Sequence, residues 1–421
     1  MSTMAGRNES SVDLVVIGGG SAGICAAVAA ARDGARVVLL EKSPLLGGMG
    51  SLAFVHTFCG LYMPDVSQPP VLANPGLPTE IEQLMRSQTN QSTPVKMGRV
   101  YVLPQQPNVY DGIAKKLTAD AGVEVRLGCA CEGISKTASG FSVLIQGSEI
   151  LCRSLVDCSA DAVVADFLGA TRLRTKSAQL QRPALIFSLA NIDPGAADER
   201  FRMRLALDLV HAVKDGTLPE EILGASIRES PHAGEYFVSI DLGGGEWDPT
   251  DESSKSTAKT AGEKLSHALY VFLRQSYDAF KNATAPVFAP ALGVRESYRW
   301  IGKYELVEAD LVSGTDFVDT VAYATWPIEL REDARGPKFR YFAENKPSNI
   351  PLRSLASMEI PGVYFAGRCL AASHEALASV RVMGTCFATG QAAGMAAAMY
   401  AEGTTDLSQQ AEKIRKQLGM D

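Results

Sequence analysis

The stretch from Asp13 to Glu41 limits what this chain can fold into more than any other. Asp13-Leu14-Val15-Val16-Ile17 is a short apolar run rich in β-branched residues, the pattern of a buried strand. It leads directly into Gly18-Gly19-Gly20-Ser21-Ala22-Gly23, a G-x-G-x-x-G. Ile24 to Asp33, mostly alanine, reads as a helix, and Arg36 to Leu40 as a second strand with Glu41 at its end. Each glycine has its own task. Gly18 permits a tight turn, Gly20 lets the backbone approach a pyrophosphate, and Gly23 lets helix and strand pack closely. The first-turn N–H groups around Ser21 and Ala22, with the helix dipole, then face an anion. Glu41 follows Gly23 by 18 residues, near the spacing of roughly 20 at which an acid accepts hydrogen bonds from a ribose diol. Strand, loop, helix, strand and acid together predict a dinucleotide-binding unit.

The rest of the composition narrows the setting. The chain has 421 residues, enough for two domains sharing a large buried surface, with 46% hydrophobic and 21% charged residues. A net charge of −7 argues against a nucleic-acid partner, which needs a basic face. Met1 to Ser10 is polar, without the apolar core of a secretory signal. No apolar run reaches the roughly 20 residues that span a bilayer; the longest candidate, Cys386 to Tyr400, is short and built from Ala and Gly. The eight cysteines form no C-x-x-C, so iron–sulfur and zinc-ribbon spacings are absent and no metal site is expected. A reducing, cytoplasmic setting is the expectation.

After Glu41 comes Lys42-Ser43-Pro44-Leu45-Leu46-Gly47-Gly48-Met49-Gly50. The segment from Gly18 to Gly50 resembles the FAD-binding segment of the glutathione-reductase-like superfamily, in which such a Gly-Gly loop brings backbone close to the ribityl chain and flavin. The resemblance implies a non-covalent FAD held by Gly18, Gly20, Ser21, Ala22, Gly23, Glu41, Lys42, Gly48 and Met49. It also places Val55 to Gly60 near the flavin edge, with His56 and Cys59 as the reactive groups there. Val123 to Leu127 reads as a strand returning to the same sheet, and Val125 becomes the adenine contact. Leu155 to Asp157 is a further strand, leading to a turn where Ala160 stands in a position often taken by glycine. Asp161 is placed to cap the next helix. Ile360 to Cys369 is a turn, a strand and Gly367-Arg368, which the resemblance sets on the ribityl and phosphate side. A helix from about Cys386 follows Gly384 and Thr385, and its N-terminal dipole is directed at the flavin pyrimidine ring. Gly390 and Gly394 let that helix lie close on the sheet.

Between these ends the texture changes. Residues 196–216 and 262–280 have helical periodicity, and Pro231 to Leu242 reads as extended chain ending at Gly243-Gly244-Gly245, a turn with no dinucleotide helix behind it. The segment Gly293 to Arg299, with Ile301, Gly302 and Tyr304, resembles the FAD-dependent oxidoreductases that include the flavin subunits of heterodisulfide reductases. The expected fold is therefore α/β: a Rossmann-type FAD domain with a central parallel sheet, assembled discontinuously from 10–170 and 341–421, and an inserted α+β substrate domain at 171–340. The expected activity is hydride transfer between flavin N5 and a small organic substrate. His374 and His56 are candidate bases, and Arg295 and Arg381 candidate anion holders. Arg295 and Arg299 share a face if that stretch is helical, and Glu296 stands ready to pair with Arg299. Two other readings stay open. One is a monooxygenase reduced by transient NAD(P)H or a separate redox partner. The other is an electron-relay flavin subunit, which the lack of iron–sulfur cysteines disfavours. An oligomer is compatible with all three.

Overall fold

The structure is a computed structural model describing residues 10–89, 92–243, 247–333, 336–343 and 346–420. Met1 to Glu9 and two of the three glycines at 243–245 lie outside those residues. The expected strand–helix–strand is present: β1 (Leu14–Ile17), α1 (Ser21–Arg32) and β2 (Val37–Glu41). Further along come α2 (Pro107–Asp120), which ends before Gly122 in the left-handed region, β3 (Glu124–Leu127) and β4 (Ser154–Asp157). With β9 (Val363–Phe365) these strands form one five-stranded parallel sheet in the order β9-β4-β1-β2-β3. Leu14, Val15 and Val16 are fully buried, because a parallel sheet is covered on both faces. A hairpin of Gly140–Ile145 and Ser148–Cys152 joins Gly133–Thr137 and the parallel Ser10–Ser11 in a separate small mixed sheet.

One face of the parallel sheet carries α1 and the long helix α5 (Met383–Ala401), which is buried almost throughout. Gly390 and Gly394 meet α1, where the sequence suggested contact with the sheet. A Cβ at either would lie 2.1 Å from the carbonyl oxygen of Ala22 or Ala26. Both helices are built from small residues here, so their backbones approach each other and the sheet lies beyond. Residues 407–418 form α6.

The middle of the chain builds a second core. An antiparallel sheet of β5 (Ala184–Leu189), β6 (Ser226–Glu229), β7 (Tyr236–Asp241) and β8 (Val287–Phe288) runs in the order β6-β7-β5-β8. Leu185, Phe187, Ile227, Tyr236, Val238 and Ile240 alternate onto one face and pack with α3 (Glu199–Lys214) and α4 (Glu252–Ser276). This core runs from Leu185 to Val294, whereas Trp300, Leu311, Val321, Ala324 and Ile328 join the core of the parallel sheet. The other face of the second sheet, carrying Ala184, Ile186, Ser226, Arg228 and Ser239, turns toward the carboxyl ends of the parallel strands.

Candidate active site

The three motif glycines are needed for different reasons. Gly18 sits at φ +101°, and a Cβ there would lie 2.4 Å from the Cys158 carbonyl oxygen. A Cβ on Gly23 would lie 1.7 Å from the Gly18 oxygen. Both are required by the fold itself. Gly20 is not: its φ is −75°, and a Cβ there would meet only the Gly48 Cα at 3.9 Å. The space beside Gly20 is free of protein. α1 begins with no side-chain cap and no acid in its first turn, so its N–H groups face that space. Glu41 is buried, accepting from Gly19 N at 2.6 Å and Ser43 N at 2.7 Å. Both its oxygens thus hold the loop in shape and keep lone pairs for a ribose. The Ser21 hydroxyl bonds the Tyr110 hydroxyl at 2.9 Å.

A cavity of about 590 Å³ begins at Gly20, Ser21, Ala22 and Met49 and continues beneath the second sheet to His56, Cys59, Arg228, Arg295 and Arg381. It lies outside the carboxyl ends of the parallel strands, where open α/β sheets bind their ligands. Ala160, Gly367 and Arg368 also line it. Ala160 adopts φ +70°, which explains why glycine suits that turn. The cap expected from Asp161 is made by its neighbours. Ser159 Oγ accepts from Val163 N and Asp157 Oδ2 from Val164 N, while Asp161 accepts from Arg368 at 2.8 Å and from Ser297 at 2.6 Å.

The far wall is charged. Asp241 is 1% exposed and binds Arg295 at 2.8 Å and Arg331 at 2.6 Å; Arg331 also binds Glu329, which accepts from the Trp326 indole. Burial raises the Asp241 carboxyl, but the two guanidiniums outweigh it and hold the pKa below its ordinary value. Arg381 donates to Gln181 at 3.1 Å, and its Nε is buried without a partner. Arg228 donates to the Ile227 carbonyl and to Met97 Sδ. Burial, with neighbouring arginines, brings both Arg228 and Arg381 down to about 10, so both stay charged at neutral pH. His56 stacks on Phe237 at 5.1 Å. Its Nδ1 donates to the Phe54 carbonyl at 3.2 Å, leaving Nε2 as the acceptor. Burial lowers its pKa to about 4.

The family model for FAD dependent oxidoreductases matches residues 13–418, nearly the whole chain. The chain belongs to the FAD-dependent oxidoreductase family. A 50-residue segment is 46% identical to the fumarate reductase (cytochrome) of Shewanella frigidimarina, spanning 12% of this chain and 9% of that enzyme. Among solved structures, the Diels-Alderase PyrE3 of pyrroindomycin biosynthesis superposes with a TM-score of 0.50 at 13% identity, covering 98% of this chain and 71% of its own, which shows the shared fold. A variant of the halogenase PltM in complex with FAD matches with a TM-score of 0.45 at 11% identity, covering 96% of this chain and 73% of its own.

FAD is the cofactor of this family member, and the loop fits it: an uncapped helix start, a glycine whose absent Cβ leaves room for a pyrophosphate, and a buried acid behind. Of the residues expected to hold FAD, Gly20, Ser21, Ala22, Met49, Ala160, Gly367 and Arg368 line the cavity. Gly48 approaches Gly20 across the loop, Val125 lies on the edge strand β3, and Lys42 is exposed. Gly384 and Thr385 turn into the Gly60 loop, and the Gly384 N–H is taken by the Cys59 carbonyl. Met383, Val382 and Cys386 line the cavity in their place.

The expected substrate-facing residues divide. His56, Arg295 and Arg381 line the cavity; His374 does not. Its Nδ1 binds Glu296 at 2.8 Å and its Nε2 lies 3.5 Å from Glu332. Burial opposes its charge, but Glu296 outweighs it and raises the pKa, so His374 is a partner in an ion-pair cluster. Glu296 also binds Arg299, as its spacing suggested. Residues 291–297 are loop and Tyr298–Trp300 is strand, so Arg295 and Arg299 share no helix face: one turns to Asp241, the other to Glu296. Arg228 escaped the sequence reading. Its signal was the alternation Ser226-Ile227-Arg228, which puts Ile227 in the core and its neighbours on the other face.

Proposed function

We propose that the protein is an FAD-dependent dehydrogenase acting on a small organic substrate. The observation that carries this reading is one cavity that joins the glycine loop to a polar chamber lined by His56 and four arginines, Arg228, Arg295, Arg331 and Arg381. When bound, the flavin accepts or donates a hydride at N5. The chain's residues do the rest. Gly20, Ser21 and Ala22 hold the dinucleotide, and the second sheet and Trp326 wall the chamber. His56, neutral over the physiological range, offers Nε2 to the proton that the substrate loses from the atom beside its breaking C–H bond. The balanced quartet of Arg295, Asp241, Arg331 and Glu329 holds the chamber wall in one shape.

The test is an anaerobic visible spectrum of the purified yellow protein. NADH and NADPH should leave the oxidised spectrum intact, while one member of a panel of small alcohols, amines and organic acids bleaches it. Rapid bleaching by NAD(P)H, with an oxygenated product once air is admitted, would replace this reading with a monooxygenase.

A further inference from the structure

We propose that the substrate is an organic acid whose carboxylate is held by Arg228 and Arg381. This rests on the cavity being the substrate site, as argued above, and names the class of molecule it takes. Four guanidiniums, Arg228, Arg295, Arg331 and Arg381, line the chamber with Glu329, and Asp241 stands directly behind it. Arg295 and Arg331 are matched by Asp241 and Glu329 through direct ion pairs. Arg228 and Arg381 are not matched. Among the described residues no carboxylate hydrogen-bonds to either, and their partners are a carbonyl, a thioether and an amide. Arg381 also keeps a buried, unpartnered Nε. Both residues line the same cavity as Cys59.

Two half-buried cations with no carboxylate hydrogen-bonded to them are costly unless something supplies the opposite charge. A carboxylate does so with the geometry a guanidinium fork prefers. Arg228 reaches the chamber from the second sheet and Arg381 from two residues before α5, so the carboxylate site draws on both cores. The remaining lining includes Met97, Ile186, Trp326 and Phe339, which suits an acid with an apolar body.

The experiment uses the FAD-loaded protein and matched pairs of probes: benzoate with benzamide, phenylacetate with phenylacetamide, and hexanoate with hexanamide. Binding is read as perturbation of the flavin spectrum and as a rise in Tm, neither of which needs turnover. At least one acid should bind at least tenfold tighter than its amide, and Arg228→Gln and Arg381→Gln should each remove most of that preference. Equal binding of every acid and amide, or a preference untouched in both variants, overturns the proposal. A preference lost in only one variant removes the other residue from the site. A second readout covers the fold: without ligand, Arg228→Gln should melt no lower than wild type, because it removes a half-buried charge that no carboxylate pairs. A clear fall in Tm would make Arg228 a structural residue and sink its assignment. Failure of the dehydrogenase reading alone would leave the carboxylate preference intact.

Discussion

At the residue scale the sharpest distinction is between glycines the fold needs and the glycine the ligand needs. Gly20→Val should give a protein that folds, with apo stability within about 1 kcal/mol of wild type, yet purifies colourless and takes up no FAD. Gly23→Ala drives a Cβ to within 1.7 Å of the Gly18 oxygen, so it should lower stability as well as flavin content. Thermal melts of the apoproteins beside flavin absorbance separate the two outcomes. His56 offers a second test. Its imidazole drops from 6.5 to about 4 on folding, so between those values the unfolded chain binds more protons than the native one. Stability therefore falls as pH is lowered through this window and levels off below it. His56→Gln removes that contribution, so its plot of Tm against pH should be shallower than wild type between pH 6.5 and 4. An equally steep plot would show that the imidazole is not buried in its neutral form. The sequence offers His374 as a candidate base alongside His56. Only its partners, Glu296 and Glu332, reveal that it is committed elsewhere.

At the element scale, periodic and strongly apolar segments were legible and polar ones were not. β1, α1 and β2 came directly from their residue pattern. The helix α4 begins at Glu252, ten residues ahead of the periodic stretch that announced it. Its first turns are Ser, Lys and Thr, which carry no apolar stripe, and they are started by Asp251 accepting from Ser253 and Ser254 N–H groups. The α1–α5 contact is the element-level feature most open to test. Because a Cβ at Gly394 would meet the Ala26 oxygen at 2.1 Å, Gly394→Ala should cost about 1–3 kcal/mol by forcing the helices apart. Urea denaturation should show a lower midpoint with an unchanged slope. Flavin affinity should fall with it, since α1 carries the dinucleotide loop.

At the scale of the whole molecule, the two cores meet through charge. Asp241 lies at the end of β7 in the second sheet, while its partners Arg295 and Arg331 lie in the segments that return to the first core. Asp241→Asn leaves two buried guanidiniums without their shared counter-charge and should destabilise the protein by about 3–5 kcal/mol. If the mutant instead melts like wild type, the quartet is not what holds the chamber wall. The preserved state of the flavin spectrum in that mutant would show whether the damage stays in the second core.

The sequence by itself determined the dinucleotide unit, because its strand, glycine loop, helix and acid lie next to one another in the chain; the FAD family and the chain's return to the parallel sheet were legible through resemblance to known FAD-binding segments. What only the tertiary structure decided is which polar residues face the chamber. Arg228 belongs there because Ile227 beside it fills a core, and His374 does not because Glu296, 78 residues away, claims it. Side-chain direction in a sheet follows from which face is buried, and ion pairing follows from distance in space. Neither quantity exists until the two cores have come together.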